Sequence, residues 1–65
     1  MRYNIDVDDI DHETQGHGIT ADTFGECTFA EAKAGAIAVV EDRLTAYQGL
    51  LEDIKTLRAA DIEAP

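Results

Sequence analysis

The chain has 65 residues, 45% of them apolar, and its 14 acidic against 5 basic side chains leave a formal net charge of -9. A chain of this length makes at most one domain and buries only about 60% of its unfolded surface, so its core is marginal without a staple or a second subunit. The charge repels nucleic acid and anionic membranes, which sets aside direct binding to DNA, RNA or lipid.

The apolar residues are periodic, as in a chain that folds. Cys27 is the single cysteine, so no internal disulfide is available. No basic start followed by an apolar run marks a signal peptide or a membrane span. The expected compartment is a reducing cytosol. The acid is unevenly placed: residues 1–27 hold Asp6, Asp8, Asp9, Asp11, Glu13, Asp22 and Glu26 against Arg2 alone, a balance of -6. Residues 28–65 hold seven acids against four bases, a balance of -3.

Tyr3, Ile5 and Val7 alternate with Arg2, Asn4, Asp6 and Asp8, the period-two pattern of a strand with one apolar and one solvated face. A strand is predicted over residues 2–8. Asp9 to Gly16 is polar and turn-forming, and from His17 a second run with Ile19, Ala21 and Thr23 on one face returns antiparallel to the first. A connection of about eight residues exceeds the usual hairpin loop, so mobility is expected there. Gly25 ends the strand. Thr28, Phe29, Ala30 and Glu31 form a capping box, in which the threonine oxygen accepts from the Glu31 amide and the glutamate accepts from the threonine amide.

From Phe29 to about Ala60 the weak helix formers of consequence are Gly35 and Gly49, each costing about 1 kcal/mol relative to alanine, and no proline occurs before Pro65. The expected fold is therefore α+β, an N-terminal antiparallel β-hairpin over 2–24 followed by one long amphipathic helix over 28–60, with a kink or turn at Gln48 and Gly49 as the alternative. Residues 61–65 are expected to fray. Along the helix Ala30, Ile37, Leu44 and Leu51 recur every seven residues, Val40, Tyr47 and Ile54 fall between them, and Phe29, Ala36, Leu50 and Leu57 widen the stripe. A helix of about 31 residues runs about 46 Å, whereas a strand of seven or eight residues reaches about 25 Å. The hairpin cannot cover the whole stripe, so either the helix folds back or a second copy covers it. A homodimer through Val40, Leu44, Tyr47, Leu51, Ile54 and Leu57 is the expectation.

Three kinds of site chemistry fail on register. An EF-hand needs glycine at its sixth position and a bidentate glutamate at its twelfth; a loop starting at Asp6 offers Asp11 and His17 there, and one starting at Asp9 offers Thr14 and Thr20. His12, His17 and Cys27 follow no zinc spacing. Gly16, Gly18 and Gly25 match no phosphate-binding fingerprint. Nucleophilic catalysis by Cys27 with His17 would need both within hydrogen-bond reach inside a pocket, and a core this small leaves little room for one. A non-catalytic protein without metal or cofactor is expected.

The acidic surface carries the functional content. On a regular strand the Asp6 and Asp8 carboxylates would stand on one face about 6.8 Å apart, with Asp9, Asp11 and Glu13 continuing a track like a row of phosphates and Asp22 and Glu26 adding to it. Lys and Arg on a nucleic-acid-binding partner would meet such a row favourably. An acidic surface that serves only solubility is the bland alternative.

The run Ile19 to Thr23 followed by Thr28, Phe29, Ala30, Glu31 and Ala32 resembles part of the HicB antitoxin fold, in which a strand precedes a Thr-led, alanine-rich helix. The glycine-proline signature and the third strand of that family are missing. In length, acidity, compactness and lack of catalytic motifs the chain looks like phage-encoded anti-CRISPR and related anti-defence proteins. That resemblance implies a stoichiometric inhibitor blocking DNA access to a CRISPR effector, with Asp6, Asp8, Asp9, Asp11 and Glu13 as candidate contacts. The alternatives are an assembly adaptor working through helix–helix association, and an antitoxin-like neutraliser of a basic toxin.

Overall fold

A computed structural model describes residues 1–63. It is α+β: β1 (Arg2–Asp11) and β2 (Gly16–Asp22) form an antiparallel hairpin, followed by α1 (Phe29–Asp42), α2 (Leu44–Thr56) and α3 (Ala59–Glu63). The radius of gyration is 11.1 Å, close to the about 10.7 Å expected of a compact chain this long.

The hairpin is more extended than its sequence suggests. β1 runs on to Asp11, and only His12–Gln15 separate the strands, so the long mobile loop expected at Asp9–Gly16 is replaced by a tight turn. Gln15 takes a left-handed conformation there, with φ 56. Ile5 pairs with Ile19 and Ile10 with His17, which leaves Asp6, Val7, Asp8 and Asp9 opposite Gly18 alone. Four residues against one is a large bulge, and its odd surplus reverses the alternation of faces. Ile5 and Ile10, five residues apart, therefore both turn toward the core, while Val7, expected on the apolar face, is 43% exposed. Glycine is required opposite the bulge: Gly18 has φ +70, and a Cβ on it would come within 2.4 Å of the Asp6 carbonyl oxygen.

Tyr3 joins the sheet to the rest of the chain. Its amide donates to the Cys27 carbonyl at 2.8 Å and its carbonyl accepts from the Cys27 amide at 3.1 Å. Its ring meets Phe29 edge-on with centroids 5.3 Å apart, and its hydroxyl donates to Glu63 on α3. Gly25 passes so close that a Cβ there would lie 2.5 Å from the Tyr3 nitrogen.

The capping box forms as expected and starts α1 at Phe29. The single long helix does not: the chain reverses at Arg43 (φ -114, ψ 30), carries a second irregularity at Tyr47 (φ -117, ψ 21) and leaves the helical region again at Leu57. Gly49 stays inside α2 and is not the break. The reason lies in packing. An unbroken helix would outrun the 34 Å longest dimension of the molecule and leave its second half in water. By reversing, α2 lays Leu50, Leu51 and Ile54 into a core with Ala32, Ala36 and Val40 of α1 and with Tyr3, Ile10 and Ile19 of the hairpin. Ala32, Ala36 and Val40 recur every four residues and are fully buried, a small-residue face that the hairpin and α2 can approach closely. The heptad positions Ala30 and Leu44 are exposed instead. Val40, Leu51, Ile54 and Leu57, expected to meet a second copy, are buried within the single chain, while Leu44 stays exposed and Tyr47 half-buried.

Lys33 on α1 donates to the Leu57 carbonyl at 3.0 Å and closes the end of α2. Asp61 then reaches back to accept from the Arg58 amide at 3.0 Å, capping α3. Asp61, Ile62 and Glu63, expected in a frayed tail, are thus helical; Ala64 and Pro65 of that expected tail lie outside the described residues.

Candidate functional site

The seven N-terminal acids fall into two groups. Asp6, Asp8 and Asp9 sit on the exposed bulge of β1, with Asp11 and Glu13 following at the strand end and turn. Asp22 stands at the opposite end of the hairpin, paired in register with Arg2, and Glu26 follows in the connection to α1. The bulge replaces the regular ladder of carboxylates expected on a flat strand.

Local hydrogen bonds hold several of these carboxylates. Asp6 Oδ1 accepts from the Asp8 amide at 3.0 Å, Asp11 Oδ1 from the Glu13 amide at 2.9 Å, and Asp22 Oδ1 from the Phe24 amide at 3.1 Å. Each is an Asx turn, in which one carboxylate oxygen is bound to the backbone. The orientation is fixed while most of the charge stays available.

The cations do not neutralise this surface. Arg2 donates to the carbonyls of Gly25 and Glu26, Lys33 to that of Leu57, and Arg43 lies over the Tyr47 ring at 5.9 Å. Among the described residues a single ion pair forms, Arg58 with Asp61 at 3.4 Å, on the far helix. Three of the five basic side chains are thus engaged with backbone carbonyls or a ring, and among the described residues none of the seven N-terminal acids has a cation within ion-pair distance.

The other candidate residues are occupied locally. Cys27 Sγ donates to the Tyr3 carbonyl at 3.1 Å, and His17 Nδ1 accepts from the Ile19 amide at 3.1 Å, so neither engages the other. Among the described residues no group of three or more His, Cys, Asp or Glu side chains is placed to hold a metal ion, and no helix is long and apolar enough to cross a membrane. Hydrogen bonds shift three other groups. Those from the Thr28 amide and hydroxyl region hold Glu31 below the usual carboxylate range, and the Arg58 amide does the same for Asp61. The bond to Glu63, with burial and the nearby charge, pushes the Tyr3 hydroxyl up.

One feature was not legible in the sequence. A solvent-open cleft of about 420 Å³ lies between the hairpin turn and α2, walled by His12 and Gln15 on one side and by Gly49, Glu52 and Asp53 on the other. His12 meets the edge of Tyr47 with centroids 5.8 Å apart, which ties the turn to the helix. Only the reversal at Arg43 brings these two segments together.

Comparison with known proteins finds no matching family model, no matching curated protein and no matching solved structure.

Proposed function

We propose that the chain is a non-catalytic acidic binding protein that inhibits a nucleic-acid-handling partner by presenting a phosphate-like surface, in the manner of anti-CRISPR and other anti-defence inhibitors. One observation carries this reading: Asp6, Asp8 and Asp9 project from an exposed bulge, unpaired with any cation among the described residues, while Arg2, Lys33, Arg43 and Arg58 are engaged elsewhere. A surface serving only solubility needs charge but no fixed orientation. Here the Asx turns at Asp6 and Asp11 orient the carboxylates, which lowers the ordering cost of a partner's Lys and Arg side chains meeting them. An antitoxin-like neutraliser of a basic toxin would use the same surface. The adaptor reading through the helical stripe has less support, because Val40, Leu51, Ile54 and Leu57 are taken up in the core; a homodimer would have to use Leu44, Tyr47 or another face.

The test is retention of partners from nuclease-treated bacterial lysate by the tagged chain at low and high salt, beside its Asp6→Asn/Asp8→Asn/Asp9→Asn variant. A basic nucleic-acid-binding complex retained by the native chain at low salt, and lost both at high salt and with the variant, is the expected result. Equal retention by the variant overturns the proposal.

A further inference from the structure

We infer that Phe24, at the end of the hairpin away from the acidic bulge, is an anchor that enters an apolar surface of the partner bordered by Lys and Arg side chains. This rests on the proposed function, in which the partner is basic, and adds an apolar contact to the charged one. Among the described residues the two most exposed large apolar side chains are Phe24, at 88%, and Met1, at 74%. Both lie at one end of the hairpin, since Met1 precedes the Arg2–Asp22 pair and Phe24 follows it. Apolar side chains scattered singly over a surface are ordinary, whereas two large ones gathered at one end mark a contact surface.

The turn that carries Phe24 holds it out. Its amide donates to Asp22 Oδ1 at 3.1 Å, and the Gly25 amide donates to the Asp22 carbonyl at 3.2 Å. Gly25 is buried against the Tyr3 backbone, Arg2 Nε donates to its carbonyl at 3.1 Å, and Cys27 closes the segment through its paired bonds to Tyr3. The backbone on both sides of Phe24 is therefore fixed, while its ring takes no part in the core. An aromatic ring with two side-chain torsions on a fixed backbone loses little freedom on binding, which is the property of an interface anchor. Its surroundings select the partner. Asp22 and Glu26 flank it, exposed and, among the described residues, with no cation within ion-pair distance, so Lys and Arg around an apolar surface complement them. A second copy would bring like carboxylates together, and an anionic membrane would repel them.

The probe is a short amphipathic peptide of leucine and lysine, titrated into the full isotope-labelled chain while backbone amide shifts are followed at low ionic strength. Two relatives serve as controls, one with serine for every leucine and one with glutamate for every lysine. Saturable shifts at Arg2 and from Thr23 to Glu26 are expected with the leucine–lysine peptide, with at least about tenfold weaker apparent affinity at these residues for either relative. Phe24→Ser should lose the shifts and Phe24→Trp should keep them, the rest of each spectrum being unchanged. The Asp6→Asn/Asp8→Asn/Asp9→Asn variant should also keep them, so that failure of this contact and failure of the bulge surface are told apart. Absence of shifts at the turn, equal binding of the serine peptide there, or survival of the shifts in Phe24→Ser would overturn the assignment. So would turn shifts that grow with protein concentration alone, which would place a second copy on Phe24.

Discussion

The hairpin and the helical half reach their structures by different routes. The helices are placed by burial: Ala32, Ala36, Val40, Leu50 and Ile54 fit against one another, and the reversal at Arg43 occurs because the apolar stripe must be covered, with no glycine or proline to mark it. The hairpin is placed by backbone constraints. Gly18 and Gln15 in the left-handed region, Gly25 against Tyr3 and the Asx turns of Asp6 and Asp11 fix a bulge whose side chains contribute little to the core. The exposed acids of the bulge stand apart from the buried side chains that both regions give to the core, so the acidic surface can change without loss of the fold.

Mutations in the two regions should separate accordingly. Ile54→Ala, which empties a fully buried position between α1, α2 and the hairpin, should cost about 2–5 kcal/mol in denaturant unfolding and lower the apparent affinity for any partner only through the unfolded fraction. Gly18→Ala comes next, at about 1–3 kcal/mol, from its positive φ and the collision with the Asp6 carbonyl. Unlike Ile54→Ala, it should also disturb the bulge and so weaken binding beyond what lost stability explains. Removing the N-cap in Thr28→Ala should cost about 0.5–2 kcal/mol with binding unchanged.

Titration should give the smallest effects. Glu31 and Asp61 are held below the usual carboxylate range by hydrogen bonds to the Thr28 and Arg58 amides. Their contribution is fully present above the unfolded-state carboxylate values near pH 4 and is lost as pH falls through their lowered folded values. Tyr3 runs the other way: its hydroxyl is raised by the bond to Glu63, so its contribution holds below about pH 10 and is lost as pH climbs through the raised folded value. Thermal melts across both limbs should show Glu31→Gln flattening the acid limb and Tyr3→Phe the alkaline one. An unchanged alkaline limb in Tyr3→Phe would mean that the link from β1 to α3 contributes nothing to stability.

Local signals were readable where the chain's own chemistry decides the outcome. The capping box at Thr28 and Glu31, and the strand character of Tyr3 and Ile5, needed no partner from elsewhere in the chain. The alternation puts Val7 on the apolar face and leaves Ile10 in the turn, whereas a bulge changes the parity of faces, and its requirement resides in Gly18 on the other strand. Gly49 was the most visible breaker in the helical region, yet it is exposed and helical, and the turn falls at Arg43 where burial demands it. The acids of the bulge were identifiable by composition, but the Asx turn that orients Asp6 and the lack of counter-charges were not, the latter because it depends on where Arg2, Lys33 and Arg43 are engaged.

The most direct test of the central claim is the binding of Asp6→Asn/Asp8→Asn/Asp9→Asn compared with the native chain in low and high salt, with unfolding of both followed in parallel. Unchanged stability with loss of the salt-sensitive partner is the predicted result. Full retention of that partner by a folded variant would contradict it and leave the acidic bulge as a solubility feature alone.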